Sequence, residues 1–375
     1  MSESTESKHS KTSRRGLCIA GTRIPPGSST DVHLKVSETY FGDDVSVHLR
    51  VIRARRPGPV VFVMAAIHGD ELNGVGVVHD LLFSNNLKLK RGALVLVPVA
   101  NVFGFESNER YLPDRRDLNR SFPGSRIGSL AGRLAHALFE NVVRQCDYGI
   151  DLHTAAIQRT NYPNVRGRLS DPEVARIAKA FGAEVILNGA GPEGSFRREA
   201  SLAGCPTICV EAGEPWKMEP AMVQFGVQGV RNVLMELGML AGKPILPPYQ
   251  TRIKSSTWIR ATVGGILRFH VVPGQVIRAG QAIASNYTLL GEQQNLLFAP
   301  NAGIILGMTT LPLVKPGEPV CHLGHPSMGI KKIEKALSYA RKNEHDIIEA
   351  RSQLASSINQ VPPHGPRSNK KILES

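Results

Sequence analysis

Long apolar runs are missing from this sequence. Its 375 residues contain none longer than about ten, such as Pro59–Ile67, where a membrane span needs roughly 20. A transmembrane protein is excluded, and no membrane partner is expected. The stretch from Met1 to Lys11 is polar and charged. It lacks the apolar segment of a secretory signal, so none is expected. Cysteine is scarce as well. Five cysteines in a chain of this length make no disulfide framework, and Cys205 and Cys209 do not form a C-x-x-C pair. A reduced, cytoplasmic setting follows as the expectation. What is present is globular composition, 42% hydrophobic and 21% charged, long enough for two domains with their own cores.

Acidic residues are outnumbered, 32 against 45 Lys and Arg, for a net charge of +13. The excess is concentrated at the ends. Residues 1–30 hold five basic residues against two acids, and residues 326–375 hold nine against five. The tails therefore carry +7, and residues 31–325 only +6. The middle has no dense basic cluster interleaved with aromatics, so no nucleic-acid partner is expected. A weakly basic enzyme with an anionic substrate fits the distribution.

Residues 1–30, rich in Ser, Thr, Lys and Arg, read as a disordered arm. Alternating runs at Val32–Val36 and Val45–Ile52, with Gly42-Asp43-Asp44 between them, predict a β-hairpin. Pro59–Ile67 and Ala93–Val99 are continuous β-branched and apolar runs, as in strands buried on both faces. Tyr148–Leu152 and Thr207–Val210 read as shorter strands. Leu130, Leu134, Leu138 and Val142 recur on one helical face. Asp171-Pro172 starts another helix, which Gly182 closes. Strands alternating with helices imply an α/β sheet covered on both faces, a three-layer catalytic domain over residues 31–245. After Pro247-Pro248 the texture changes to short β runs broken by glycines, and residues 250–325 read as an all-β domain. Residues 326–375 read as a helical, then disordered, tail. Helical spacing runs over 330–358 through Ile330, Ile333, Leu337, Ala340, Ile347 and Leu354. That stretch is a candidate contact for a homo-oligomer, with a solvated or intramolecular helix as the competing reading.

The polar residues that carry chemistry follow the strands. His68 and Glu71 stand three apart just after the first buried run. Imidazole and carboxylate there can meet one zinc ion, and a polar loop with a helix-capping carboxylate is the alternative. His153, at the end of the Tyr148 strand, is the candidate third ligand. In open α/β sheets, sites gather at strand ends. Asp151 either points to the same side or orients a ring nitrogen. Asn119 and Arg120 suit a carboxylate clamp, because guanidinium binds carboxylate as a fork. Arg110 is placed to stabilise an oxyanion, with Arg115 and Arg116 as rivals. Glu211, abutting a strand, is the candidate general base, and Glu214 is its competitor.

His68-x-x-Glu71, D-L-N-R-x-F-P-G from Asp117, D-L-H-T from Asp151 and E-x-G from Glu211 follow one another in order. This order resembles the succinylglutamate desuccinylase/aspartoacylase family of zinc carboxypeptidase-like enzymes, over roughly residues 55–240. The resemblance implies one zinc per subunit, held by His68, Glu71 and His153. It implies Asn119 and Arg120 as the substrate-carboxylate clamp, Arg110 as the group polarising the scissile carbonyl, and Glu211 as the base. It also implies that the β segment 253–323 is a barrel-sandwich-like C-terminal domain. The implied function is a zinc-dependent amidohydrolase, a deacylase cleaving the linear amide of an N-acyl amino acid or similar small anion with metal-activated water. A metallocarboxypeptidase acting on peptides is the alternative. A lipoyl-type carrier is disfavoured, since Ser285–Asn295 contains no Lys.

Overall fold

The two long β-branched runs lie side by side in the middle of one sheet. The computed structural model describes residues 16–83, 87–343 and 358. In chain order its first part comprises β1 (Cys18–Ile19), β2 (Thr22–Arg23), β3 (Ser29–Glu38), β4 (Asp44–Arg53), β5 (Val60–Ala65), α1 (Asn73–Phe83), β6 (Ala93–Val97), α2 (Val102–Glu106) and α3 (Leu130–Asn141). Next come β7 (Tyr148–His153), β8 (Arg159–Gly167), α4 (Pro172–Phe181), β9 (Val185–Asn188), α5 (Phe196–Leu202), β10 (Thr207–Gly213) and α6 (Pro220–Glu236). The last part comprises β11 (Thr251–Arg260), β12 (Gly265–Phe269), β13 (Val276–Ile277), β14 (Ala282–Tyr287), β15 (Gln293–Phe298), β16 (Gly303–Thr309), β17 (Leu313–Val314), β18 (Pro319–Pro326) and α7 (Ile330–Asn343).

Strands β6, β5, β7 and β10 are adjacent and parallel. Every residue of β5 and β6 is buried. Alternation along the strand divides their side chains between two cores. Phe62, Met64, Val95 and Val97 pack with Leu134, Leu138 and Phe139 of α3 and Phe196 of α5. Val61, Val63, Leu94 and Leu96 pack with α1, α4 and α6 through Val78, Ile177 and Val233. Helices thus cover both faces. The helix starts follow their caps. Ser129 accepts from the Gly132 N–H, and Asp171 accepts from those of Glu173 and Val174. Gly182, with φ 93°, ends α4.

Two expectations change, and a third is met in its first half. The arm does not extend to residue 30. Leu17, Ile19 and Ile24 are buried in the core, and β1 and β2 pair through a turn at Ala20-Gly21, both with positive φ. Three apolar side chains anchor a segment whose composition is otherwise polar. Residues 1–15 lie outside the described residues. The β region, β11 to β18, is not a detached unit. A four-stranded sheet, β15-β14-β12-β17, closes one side of a core containing Leu267, Phe269, Ile283, Ile305 and Leu323. Its other strands extend the main sheet to twelve, because β11 pairs with β9, and β16 pairs with β8. Finally, α7 accounts for the helical spacing from Ile330, while Ile347 and Leu354 lie outside the described residues. Among the described residues no helix is long and apolar enough to cross a membrane.

Candidate active site

Three parallel strands deliver the site at their C-terminal ends. β10 pairs with β7 so that Glu211 stands opposite His153, and β7 pairs with β5 so that Leu152 stands opposite Ala65. Just past β5, Ala66 has φ 50°, a left-handed turn uncommon for a residue with a Cβ, and it redirects the chain into His68-Gly69-Asp70-Glu71. Gly69 is required there. A Cβ would lie 2.0 Å from the Gly104 carbonyl carbon and 2.2 Å from the Phe105 nitrogen.

His68, Glu71 and His153 are buried, and their ligand atoms lie within 4.8 Å of one another. Glu71 sits between the imidazoles, with Oε1 2.6 Å from His68 Nδ1 and Oε2 2.9 Å from His153 Nδ1. The Thr154 N–H also donates to Oε2. The outer ring nitrogens face carboxylates. His153 Nε2 is 2.9 Å from Asp151, and His68 Nε2 is 3.2 Å from Asp117. Such partners fix the tautomer and direct the inner nitrogens to a shared point. Two imidazoles and one carboxylate converging in this way fit a zinc ion with a position left for substrate. Asp151, His153 and Cys209 also lie within 4.8 Å of one another. Burial pushes the Cys209 thiol up to about 11, which keeps it protonated and a poor ligand.

The charges are strongly coupled. Burial alone would favour neutral groups, but the two imidazoles hold the Glu71 carboxyl well below the usual range. Burial likewise opposes the charged forms of His68 and His153, and the carboxylates around them outweigh it, raising both.

Of the three arginines weighed for the scissile carbonyl, Arg110 is the one beside the cluster. Its Nη1 is 3.4 Å from Glu71 and its Nη2 is 3.1 Å from Asp117. Arg115 and Arg116 are exposed, and Arg116 lies 3.9 Å from Asp114. Asn119 is half-buried, and its Oδ1 accepts from the Phe196 N–H at the start of α5. Arg120 is exposed and donates to the Asn119 carbonyl at 2.6 Å. Glu211 faces the same side of the sheet as His153. It accepts from Asn161 Nδ2 at 2.9 Å and pairs with Arg166 at 3.3 Å. Glu214 lies past the strand and pairs with Lys217 at 3.0 Å. Asp117, Asn161 and Arg166 were not singled out in the sequence. Asp117 opens the D-L-N-R motif, a usable signal, whereas Asn161 and Arg166 belong to a polar strand with no motif.

Residues 57–237 match the family model of the succinylglutamate desuccinylase/aspartoacylase catalytic domain. The chain is 26% identical over 257 residues to N-alpha-acetyl-L-2,4-diaminobutyric acid deacetylase of Halomonas elongata, covering 65% of this chain and 75% of that one. Its fold is similar to the ectoine utilization protein EutE (DoeB) of Ruegeria pomeroyi, with TM-score 0.71, 23% identity and coverage of 80% and 97% of the two chains. A succinylglutamate desuccinylase/aspartoacylase structure from Rhodobacter sphaeroides gives the same TM-score at 22% identity, covering 80% and 96%. Residues 57–237 are therefore similar in sequence to the catalytic domain of the succinylglutamate desuccinylase/aspartoacylase family, and the chain shares the fold of these solved structures.

Proposed function

We propose that the protein is a zinc-dependent amidohydrolase that removes the acyl group from an N-acyl amino acid or a similar small anion. The observation that carries this reading is the register of Glu211 beside His153, which sets a carboxyl group next to a buried His-Glu-His cluster. The relative named as a deacetylase supports the same reaction class. His68, Glu71 and His153 would hold one zinc, which when bound supplies Lewis-acid polarisation of carbonyl and water. The rest falls to the chain itself. Asn119 and Arg120 bind the substrate carboxylate. Arg110 faces the oxygen that gains charge as the amide carbon becomes tetrahedral. Glu211 accepts a proton from the attacking water and returns it to the leaving nitrogen, since an amine departs poorly unless protonated.

Peptide substrates fit less well. Strand β16 pairs with β8 at Asn161, the residue that touches Glu211, so the β region crowds one side of the cleft. A screen of the zinc-loaded protein against N-acetyl, N-succinyl and N-carbamoyl amino acids, with short peptides alongside, tests the reading. Amine release from acyl amino acids and none from peptides is expected. Turnover of peptides alone would make it a carboxypeptidase.

A further inference from the structure

The main sheet ends in a strand with one open edge. β3 stands last in the twelve-stranded order and pairs with β4. Among the described residues no strand lies against its outer edge. Such an edge presents a row of backbone donors and acceptors to any chain that can pair with it. β3 is ten residues long, and its register with β4 is regular from Ser29 to Lys35. Its side chains alternate. Val32, Leu34 and Val36 are buried, while Asp31, His33 and Lys35 are exposed.

Two aromatic side chains stand just past this strand with nothing over them. Tyr40 and Phe41, in the turn between β3 and β4, are 107% and 93% exposed. The turn is well held, since Thr39 Oγ1 accepts from the N–H groups of Phe41 and Asp43. Their exposure is therefore built into the fold, and adjacent uncovered aromatics suit a contact surface. The helix α7, by contrast, buries Ile333 and Leu337 in the core of its own chain.

The charges on β3 select a second copy of the chain as the occupant. In a two-fold antiparallel pairing, residues that face each other share a sheet face. Buried positions must meet buried ones, so the axis has to pass at a residue, not between two. An axis at Asp31 or at Lys35 sets like charges opposite each other. Axes at Val32 or Leu34 bring neither charge to its complement. An axis at His33 sets Asp31 opposite the partner's Lys35, twice by symmetry, and Val32 opposite the partner's Leu34. Asp31 pairs with Arg50, and Lys35 with Glu38 and Asp44, yet their side chains remain 58% and 50% exposed and have room for a further partner. Tyr40 lies as far past His33 as Pro26 lies before it. The same axis therefore carries the aromatic turn toward the partner's Pro25 and Pro26. Both prolines are exposed, and Ser28 Oγ donates to the Pro25 carbonyl at 2.7 Å.

We propose that the outer edge of β3 is a homodimer interface with its two-fold axis at His33. An Asp31–Lys35 pair lies on each side of the axis, and Tyr40 and Phe41 close each end on the partner's Pro25 and Pro26. β3 is separated from β5 by β4 and β6, so the interface leaves the His-Glu-His cluster untouched and does not depend on the reaction assigned to it.

Sedimentation equilibrium of the full chain tests the interface. A monomer–dimer equilibrium is expected for wild type. Asp31→Lys and Lys35→Asp each set like charges opposite one another and should each raise the dimer Kd about 10-fold or more. The combination Asp31→Lys/Lys35→Asp should recover affinity, because the pair re-forms with its signs exchanged. A merely destabilising substitution gives no such recovery. Tyr40→Ser with Phe41→Ser lies outside the core and should weaken the dimer without shifting the melting temperature. A monomeric wild type overturns the proposal, as does a dimer indifferent to these variants. A chain that dimerises only once residues 1–15 are removed also overturns it, since the edge is then covered by the chain itself. If the charge reversals do not fold, judged by circular dichroism, the turn variant still decides, and an unchanged Kd there overturns the interface.

Discussion

Glu71, Asp117, Asp151 and Glu211 are all carboxylates at one end of one sheet, and their partners give each a different task. Glu71 stands between two imidazoles, Asp117 and Asp151 stand behind them, and Glu211 is held by an amide and a guanidinium. Removing the charge from Asp117 or Asp151 leaves His68 and His153 in place but frees a ring to turn. Asp151→Asn and Asp117→Asn are each expected to weaken zinc binding about 10–100-fold, measured by competition with a chelator. Glu211→Gln keeps the hydrogen bond from Asn161 and cannot carry a proton. Retained zinc and fold with kcat lowered about 10²–10⁴-fold is the expected result. Full activity in Glu211→Gln, with Glu214→Gln inactive, would exchange their roles. At this scale the sequence was most readable where spacing implies geometry, as in His68 and Glu71. The hold on Glu211 was hidden because Asn161 and Arg166 reach it from 50 and 45 positions away, across a strand pairing.

Elements were legible in proportion to how fully they are buried. β5 and β6 show as unbroken apolar runs because both faces meet helices. β8 does not, because Asn161 and Arg166 reach Glu211 and Pro163 interrupts the run. α6 was missed for another reason. Gly226 and Gly229 weaken its helical signal, yet a Cβ at Gly226 would meet Val77 at 2.4 Å and one at Gly229 would meet Phe181 at 2.2 Å. Close packing there outweighs the propensity cost of glycine in a helix. The loop after β5 follows the same logic at higher stakes. It is pressed on α2 through Gly69, with backbone as the obstructing neighbour. Gly69→Ala must therefore move either the loop or α2. A loss of about 1–3 kcal/mol in urea unfolding is expected, with weaker zinc retention than wild type. An unchanged midpoint with full zinc would show that the loop yields freely.

One sheet runs through the catalytic domain and the β region, and this governs how the whole molecule responds. β8 gives one part of its length to β16 and another to β9, so neither part of the chain closes its hydrogen bonding alone. A glycine-rich change of texture near residue 250 suggested a boundary, but pairing across it is invisible to composition. The chain has two tryptophans, Trp216 after β10 and Trp258 on β11. In a Trp216→Phe protein, fluorescence reports only the β region. Its melting curve is expected to coincide with that from far-ultraviolet circular dichroism, and two separated transitions would show independent units. The seam also carries a pH dependence. His322 titrates near 6.5 when unfolded, but burial, and then Arg166, hold it down to about 4 in the folded chain. Between those values the unfolded state binds the extra proton, so stability contributed by the neutral ring is full above pH 6.5 and lost as pH falls toward 4. At 1.36 kcal/mol per unit, the loss is about 3 kcal/mol. His322→Gln should flatten the fall in unfolding free energy between pH 6.5 and 4 by that amount. Parallel curves for the two proteins would mean that His322 is freely hydrated and that its stack on the Trp258 ring does not shield it.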